Sequence, residues 1–211
     1  MTQLTTLLTL ADSRLPTGGH VHSGGIEEAI ASGLVADLAT LAAFLRRRIR
    51  THGLVTASLA VATQTGALDT AAADAETDAR TPAPAARAAS RSQGRGLLRL
   101  ARRVWPVQPW SALGREPHLA VVSGIVGRST DLRPLHTALA LTYTTMTGSA
   151  TAAQRLLALD PADVAALTFE LAELCEQTAE EATAGLADLS DPLLDVLAQR
   201  HARRDRPLFA S

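Results

Sequence analysis

Apolar residues that return every three or four positions are the feature that most narrows what this chain can fold into. Leu38, Leu41, Leu45, Ile49 and His52 keep that spacing after Asp37, and Leu135, Leu139, Tyr143 and Met146 keep it again. Val164, Leu167, Leu171, Leu174 and Thr178 mark one face of a further long helix. No alternating, strand-like pattern competes. His118 to Val126 is apolar and β-branched and would pass for a strand alone, but without a partner strand it reads as a buried helix. With aromatics at only 3%, the core falls to Leu, Val and Ala, a composition suited to closely packed helices. The expectation is an all-α, single-domain helical bundle of roughly eight to ten helices over 1–211, large enough to bury a core without disulfides.

Punctuation along the chain agrees. Asp160-Pro161 and Asp191-Pro192 are helix starts, a capping aspartate followed by proline at the first helical position. A short helix is expected over 68–80, a connector at Thr81-Pro82-Ala83-Pro84 and a helix over 87–104. Trp105 to Trp110 is a loop because two prolines interrupt it. Gly53 either interrupts its helix or is tolerated within it.

Charge and cysteine content exclude several classes. The net charge of −1 supplies no global attraction to nucleic acid or anionic lipid. A single cysteine, Cys175, forbids an internal disulfide and suits a reducing compartment, so the cytoplasm is expected. Residues 1–11 are apolar but lack a basic flank and are too short to span a bilayer, so they read as a first helix rather than a leader or anchor.

The densest cluster of backbone-permissive residues runs from Leu15 to Glu28. It contains Gly18, Gly19, Gly24 and Gly25 with Pro16, His20, His22 and Ser23. This reads as a loop of fixed shape in which Ser23 or Gly24 caps a helix over 26–32, with Glu27 and Glu28 in its first turn. A phosphate-binding P-loop is excluded because the chain has no lysine; all its basic residues are arginine. His20 and His22 are candidate nickel, zinc or copper ligands, yet two ligands fall short of a site, and a structural turn is the plainer reading.

Arg46, Arg47, Arg48 and Arg50 read as a solvated helix face. Arg87, Arg91, Arg95 and Arg99, spaced by four, form a basic stripe. Base-reading residues do not accompany it, so an acidic protein partner suits it better than nucleic acid. His136 reads as a core-edge histidine and Cys175 as a buried inert thiol. The ending Arg203 to Ser211, with Leu208 and Phe209 apolar at a free end, reads as a partner-binding tail over 202–211. No nucleophile, base and orienting group can be placed together, which favours an interaction protein over an enzyme.

Several stretches resemble the UreF family of urease accessory proteins. The family's N-terminal signature is matched by Leu15, Pro16, Gly18, Gly19, Ser23, Gly25, Ile26 and Glu27, with His20 standing where the family carries an aromatic residue. Arg87-Ala-Ala-Ser90 through Gly94 to Leu97-Leu98 is similar to a second family motif, His118 with Gly124 to a third, and His201 with Leu208-Phe209-Ala210-Ser211 to the closing motif. Asp160-Pro161 and Pro207 depart from the pattern. The resemblance implies an all-α protein that dimerises, binds UreD (also called UreH), and through it recruits the GTPase UreG and apo-urease. Its implied role is a non-catalytic scaffold and GTPase regulator in nickel insertion, with no cofactor of its own. The residues implied for partner binding are Gly18, Gly19, Ser23, Gly25 and Glu27 in the loop, Arg87 and Arg91 in the stripe, and Arg206, Leu208, Phe209 and Ser211 in the tail. Two other readings compete: a nickel metallochaperone using His20 and His22, and an unrelated all-helical regulator.

Overall fold

The computed structural model describes residues 3–17, 22–205 and 207–209. Among them the regular structure is helical and includes no strand. The α-helices are α1 (Gln3–Leu10), α2 (Ile26–Ala31), α3 (Leu38–Arg48), α4 (Leu54–Thr65), α5 (Thr70–Ala79), α6 (Pro84–Val104), α7 (Leu119–Ser129), α8 (Pro134–Leu157), α9 (Pro161–Glu170), α10 (Ala172–Ala184) and α11 (Pro192–His201). None is long and apolar enough to cross a membrane.

Local chemistry accounts for most boundaries. Asp37 and Thr40 form a reciprocal capping box at α3, the Asp37 carboxylate accepting from the Thr40 amide at 2.8 Å. Asp160 and Asp191 cap α9 and α11 as their Asp-Pro pairs predict. Residues 118–126 fall in a helix and its cap, not in a strand. One long helix was expected from Pro161 onward, but it breaks at Leu171, whose side chain is fully buried at the joint between α9 and α10. A π-helical turn, Ile49–Gly53, joins α3 to α4, so the two run on as one rod with an irregular middle.

The core has three buried clusters, the second and third of which share Leu68 and Leu119 at their margins and so make up one of its two regions. Ile26 of α2, Leu41 and Leu45 of α3, Met146 of α8, Leu171 and Leu197 of α11 build the first region, and Phe209 of the tail packs into it. The second region lies around α4 and α7 and extends through Leu97, Leu98 and Trp110 to α6 and the short 3-10 turn Trp110–Leu113. Small residues set its spacing. A Cβ on Gly124 would come 2.5 Å from the Ala60 carbonyl, so α4 and α7 touch almost backbone to backbone. Between the two regions lies a cavity of about 330 Å³, bordered by α3, the π turn, α8, α11 and the glycine-rich loop.

Candidate functional site

Two joints bring together stretches that lie far apart in the chain. The first is centred on Glu27. The glycine-rich loop turns into α2 through Gly24 at φ 64° and Gly25 at φ 88°, left-handed conformations that favour glycine. Gly25 is the N-cap residue, and no side chain caps α2. The expected Ser23 cap is therefore absent. Ser23 is fully buried, and its carbonyl accepts from Ser149 Oγ at 3.1 Å.

The turn aims Glu27 inward, where it is only 4% exposed. Its Oε1 accepts from the Leu208 amide at 2.9 Å, and its Oε2 accepts from the Phe209 amide at 3.0 Å. His201 Nε2 lies 2.7 Å from Oε2, and because an ionised carboxylate only accepts, that nitrogen donates. Burial alone would raise the Glu27 pKa, but the Leu208 amide, His201 and the Phe209 amide outweigh it and hold the carboxyl below its ordinary value. Nearby, Arg204 pairs with Glu28 at 3.0 Å. The tail is thus clasped onto α2.

Phe209, expected to be exposed, is 8% exposed instead, with Arg155 5.3 Å from its ring centroid. Its apolar ring has found a surface on its own chain. Leu208 remains 78% exposed. Gly18, Gly19, His20, Arg206 and Ser211 lie outside the described residues. His22 borders the central cavity.

The second joint locks α6 to α5 and to the start of α7. Ser90 Oγ lies 2.9 Å from His118 Nδ1 and accepts from the Leu119 amide at 3.4 Å, while His118 Nε2 donates to Asp78 at 2.9 Å. Burial lowers the pKa of His118, so its neutral ring serves as a two-ended linker. Gly94 lies where a Cβ would run into the Pro117 carbonyl. Arg91 pairs with Asp74 at 2.9 Å and Asp78 at 2.8 Å and donates to the Glu116 carbonyl at 2.6 Å. Arg95 pairs with Glu116, and Arg87 lies 3.9 Å from Asp78. Arg87, Arg91 and Arg95 of the basic stripe therefore meet acidic groups of their own chain. Among the described residues, Asp74, Asp78 and His118 form the group close enough to hold a metal ion. Arg91 bridges the two carboxylates and both ring nitrogens of His118 have partners, so the donor set is closed by protein and suits structure better than a cation.

Sequence reasoning missed three roles. Glu27 read as a dipole-stabilising carboxylate and, through the resemblance, as a partner-binding residue, but not as an internal clasp, its partner His201 being 174 positions away. Asp191 read only as a cap, yet it also takes a two-point contact from Arg47 at 2.7 Å. Arg48 read as part of a solvated face but turns inward. Its position seven after Leu41 and four after Phe44 carries the signal, since both are buried. Cys175 is buried as expected, with burial pushing its thiol up to about 12.

A family profile described as UreF matches residues 35–172. Over the full length of both chains, the sequence is 73% identical to the urease accessory protein UreF of Mycolicibacterium vanbaalenii. It is 73% identical to the protein of that name from Mycobacterium bovis and 72% identical to that from Mycobacterium tuberculosis, again over both entire chains.

Proposed function

This chain belongs to the UreF family of urease accessory proteins, and from that premise we propose that it serves urease maturation as a non-catalytic scaffold. In this reading it acts in the cytoplasm as a homodimer, binds UreD/UreH, and recruits and regulates the UreG GTPase so that nickel reaches apo-urease. Nickel is cargo of the assembly. The observation that carries the reading is the Glu27 clasp, which ties the tail to α2 and leaves the Leu208 side chain exposed beside it. Leu208 is thus an apolar contact point.

Co-expression with UreD and UreG, followed by size-exclusion chromatography with light scattering, tests this reading. The intact chain should elute in a ternary complex. Leu208→Asp should lose the complex while keeping the helical circular dichroism and melting temperature of the free protein, because the side chain is exposed. Removal of residues 202–211 should lose it as well. If the intact chain elutes alone, recruitment of these partners is wrong; if both variants still assemble, the tail is not part of the interface.

A further inference from the structure

The arginines of α6 divide into two groups. Arg87, Arg91 and Arg95 face Asp78, Asp74 and Glu116 of their own chain. Further along the helix, Arg99, Arg102 and Arg103 are exposed and make no ion pair or side-chain hydrogen bond among the described residues. Every Asp and Glu of the chain lies among those residues, so no carboxylate side chain remains to pair with them. At about 100° per residue the three share an arc of about 100°, opposite the buried Leu97 and Ala101. Arg115 is likewise exposed and unpaired. Its neighbour Glu116, held to Arg95 at 3.0 Å, brings it alongside α6.

The helix dipole favours cations in the last turn, which accounts for Arg102 and Arg103 but for neither Arg99 nor Arg115. Apolar groups adjoin the charges. Val104, the last residue of α6, is 52% exposed, and Val107 is 90% exposed. The Gln108 amide donates to the Trp105 carbonyl at 3.2 Å, closing a turn with Pro106 and Val107 at its two central positions. Trp110 is buried and donates its Nε1 to the same carbonyl at 2.7 Å, so the turn is pinned to the core. Turn chemistry favours Gly, Asn, Asp or Ser at such a tip and gives no reason for valine. An apolar contact is thus held in place beside free guanidinium groups, with the ordering cost of the loop met before any partner arrives.

We propose that the C-terminal end of α6 and the Pro106-Val107 turn form a docking surface for an acidic segment of a partner protein. Its carboxylates pair with Arg99, Arg102, Arg103 and Arg115, whose planar forks match them, and an apolar side chain packs on Val104 and Val107. Nucleic acid would use the same charges, but Trp105 and Trp110 pack on the core and the exposed contact is aliphatic, which leaves bases no stacking platform. This surface is independent of the tail and of the recruitment reading.

Fluorescence anisotropy tests it in the full-length protein, with a labelled peptide of glutamate and leucine and its glutamine-for-glutamate counterpart as control. The acidic peptide should bind with a Kd on the order of 100 μM at about 0.15 M ionic strength, and the control should not saturate. Arg99→Glu with Arg103→Glu should weaken binding at least about tenfold. Arg46→Glu with Arg133→Glu, the same charge change at exposed positions elsewhere, should leave it within about twofold. Val107→Ser should weaken it about fivefold, and because Val107 is exposed the variant should keep the helical circular dichroism. The proposal is overturned if the two charge-reversal pairs weaken binding equally or if Val107→Ser has no effect. It is also overturned if a short DNA duplex binds this face more tightly than the peptide, or if sedimentation shows a second copy of the chain occupying it.

Discussion

Glu27 shows how one side chain can hold a terminus. Its carboxylate gathers two backbone amides and an imidazole from 174 and more positions away, in a setting nearly sealed from water. Glu27→Gln keeps the shape but removes the charge and turns an acceptor into a donor facing amide donors. The expected loss is about 2 kcal/mol of unfolding free energy, measured by urea denaturation at pH 7. The sign of the pH effect follows from the lowered folded-state pKa. Stabilisation by the ionised group is fully present above the ordinary glutamate pKa, about 4.3, and is lost as pH falls through the lower folded value. Wild-type stability should therefore decline more steeply than that of Glu27→Gln below about pH 4.3. Parallel profiles would remove Glu27 from this role.

At the scale of elements, the helices were legible because their signals are local. The stripe through Leu135 and Met146 and the Asp-Pro starts each need only a few neighbouring residues, and the structure places helices there. Connections between helices were less legible. The break at Leu171 interrupts no apolar stripe, and nothing in Ile49-Arg-Thr-His-Gly53 announces a π turn rather than a regular one. The motif glycines marked positions without stating what approaches them. Gly94 supports the sharper test, since alanine in a helix interior ordinarily stabilises it. Here a Cβ meets the Pro117 backbone, which a side-chain rotation cannot relieve. Gly94→Ala should lose about 1–3 kcal/mol in thermal or urea unfolding. Gly148→Ala, within α8 and with nothing within 4 Å of its added Cβ, should gain about 1 kcal/mol. A neutral Gly94→Ala would mean that α6 and the start of α7 are not packed this closely.

Over the whole molecule, the tail closes only one of the two core regions, whereas Leu15 of the loop packs against the other. Phe209 packs with Ile26 and Leu197, whereas Leu97, Trp110 and Val122 belong to the other region. The fold class could be read from apolar spacing, but this division could not, because it depends on which distant stretches meet. Ser90 finds His118, and Glu27 finds Leu208 and Phe209, through pairings that no window of sequence contains. Such a division predicts uneven local stability, since opening free energies follow the contacts each unit makes. Deleting residues 207–211 removes Phe209 and two of the donors to Glu27, leaving that carboxylate with His201. Hydrogen exchange read by mass spectrometry should then accelerate in α2 and α11 while α5, α6 and α7 keep their protection. The second joint uses no tail residue, so Arg91, Asp78 and His118 should hold those helices as before. A uniform rise across all helices would instead make the two regions one cooperative unit, with the tail supporting the whole fold rather than one end of it.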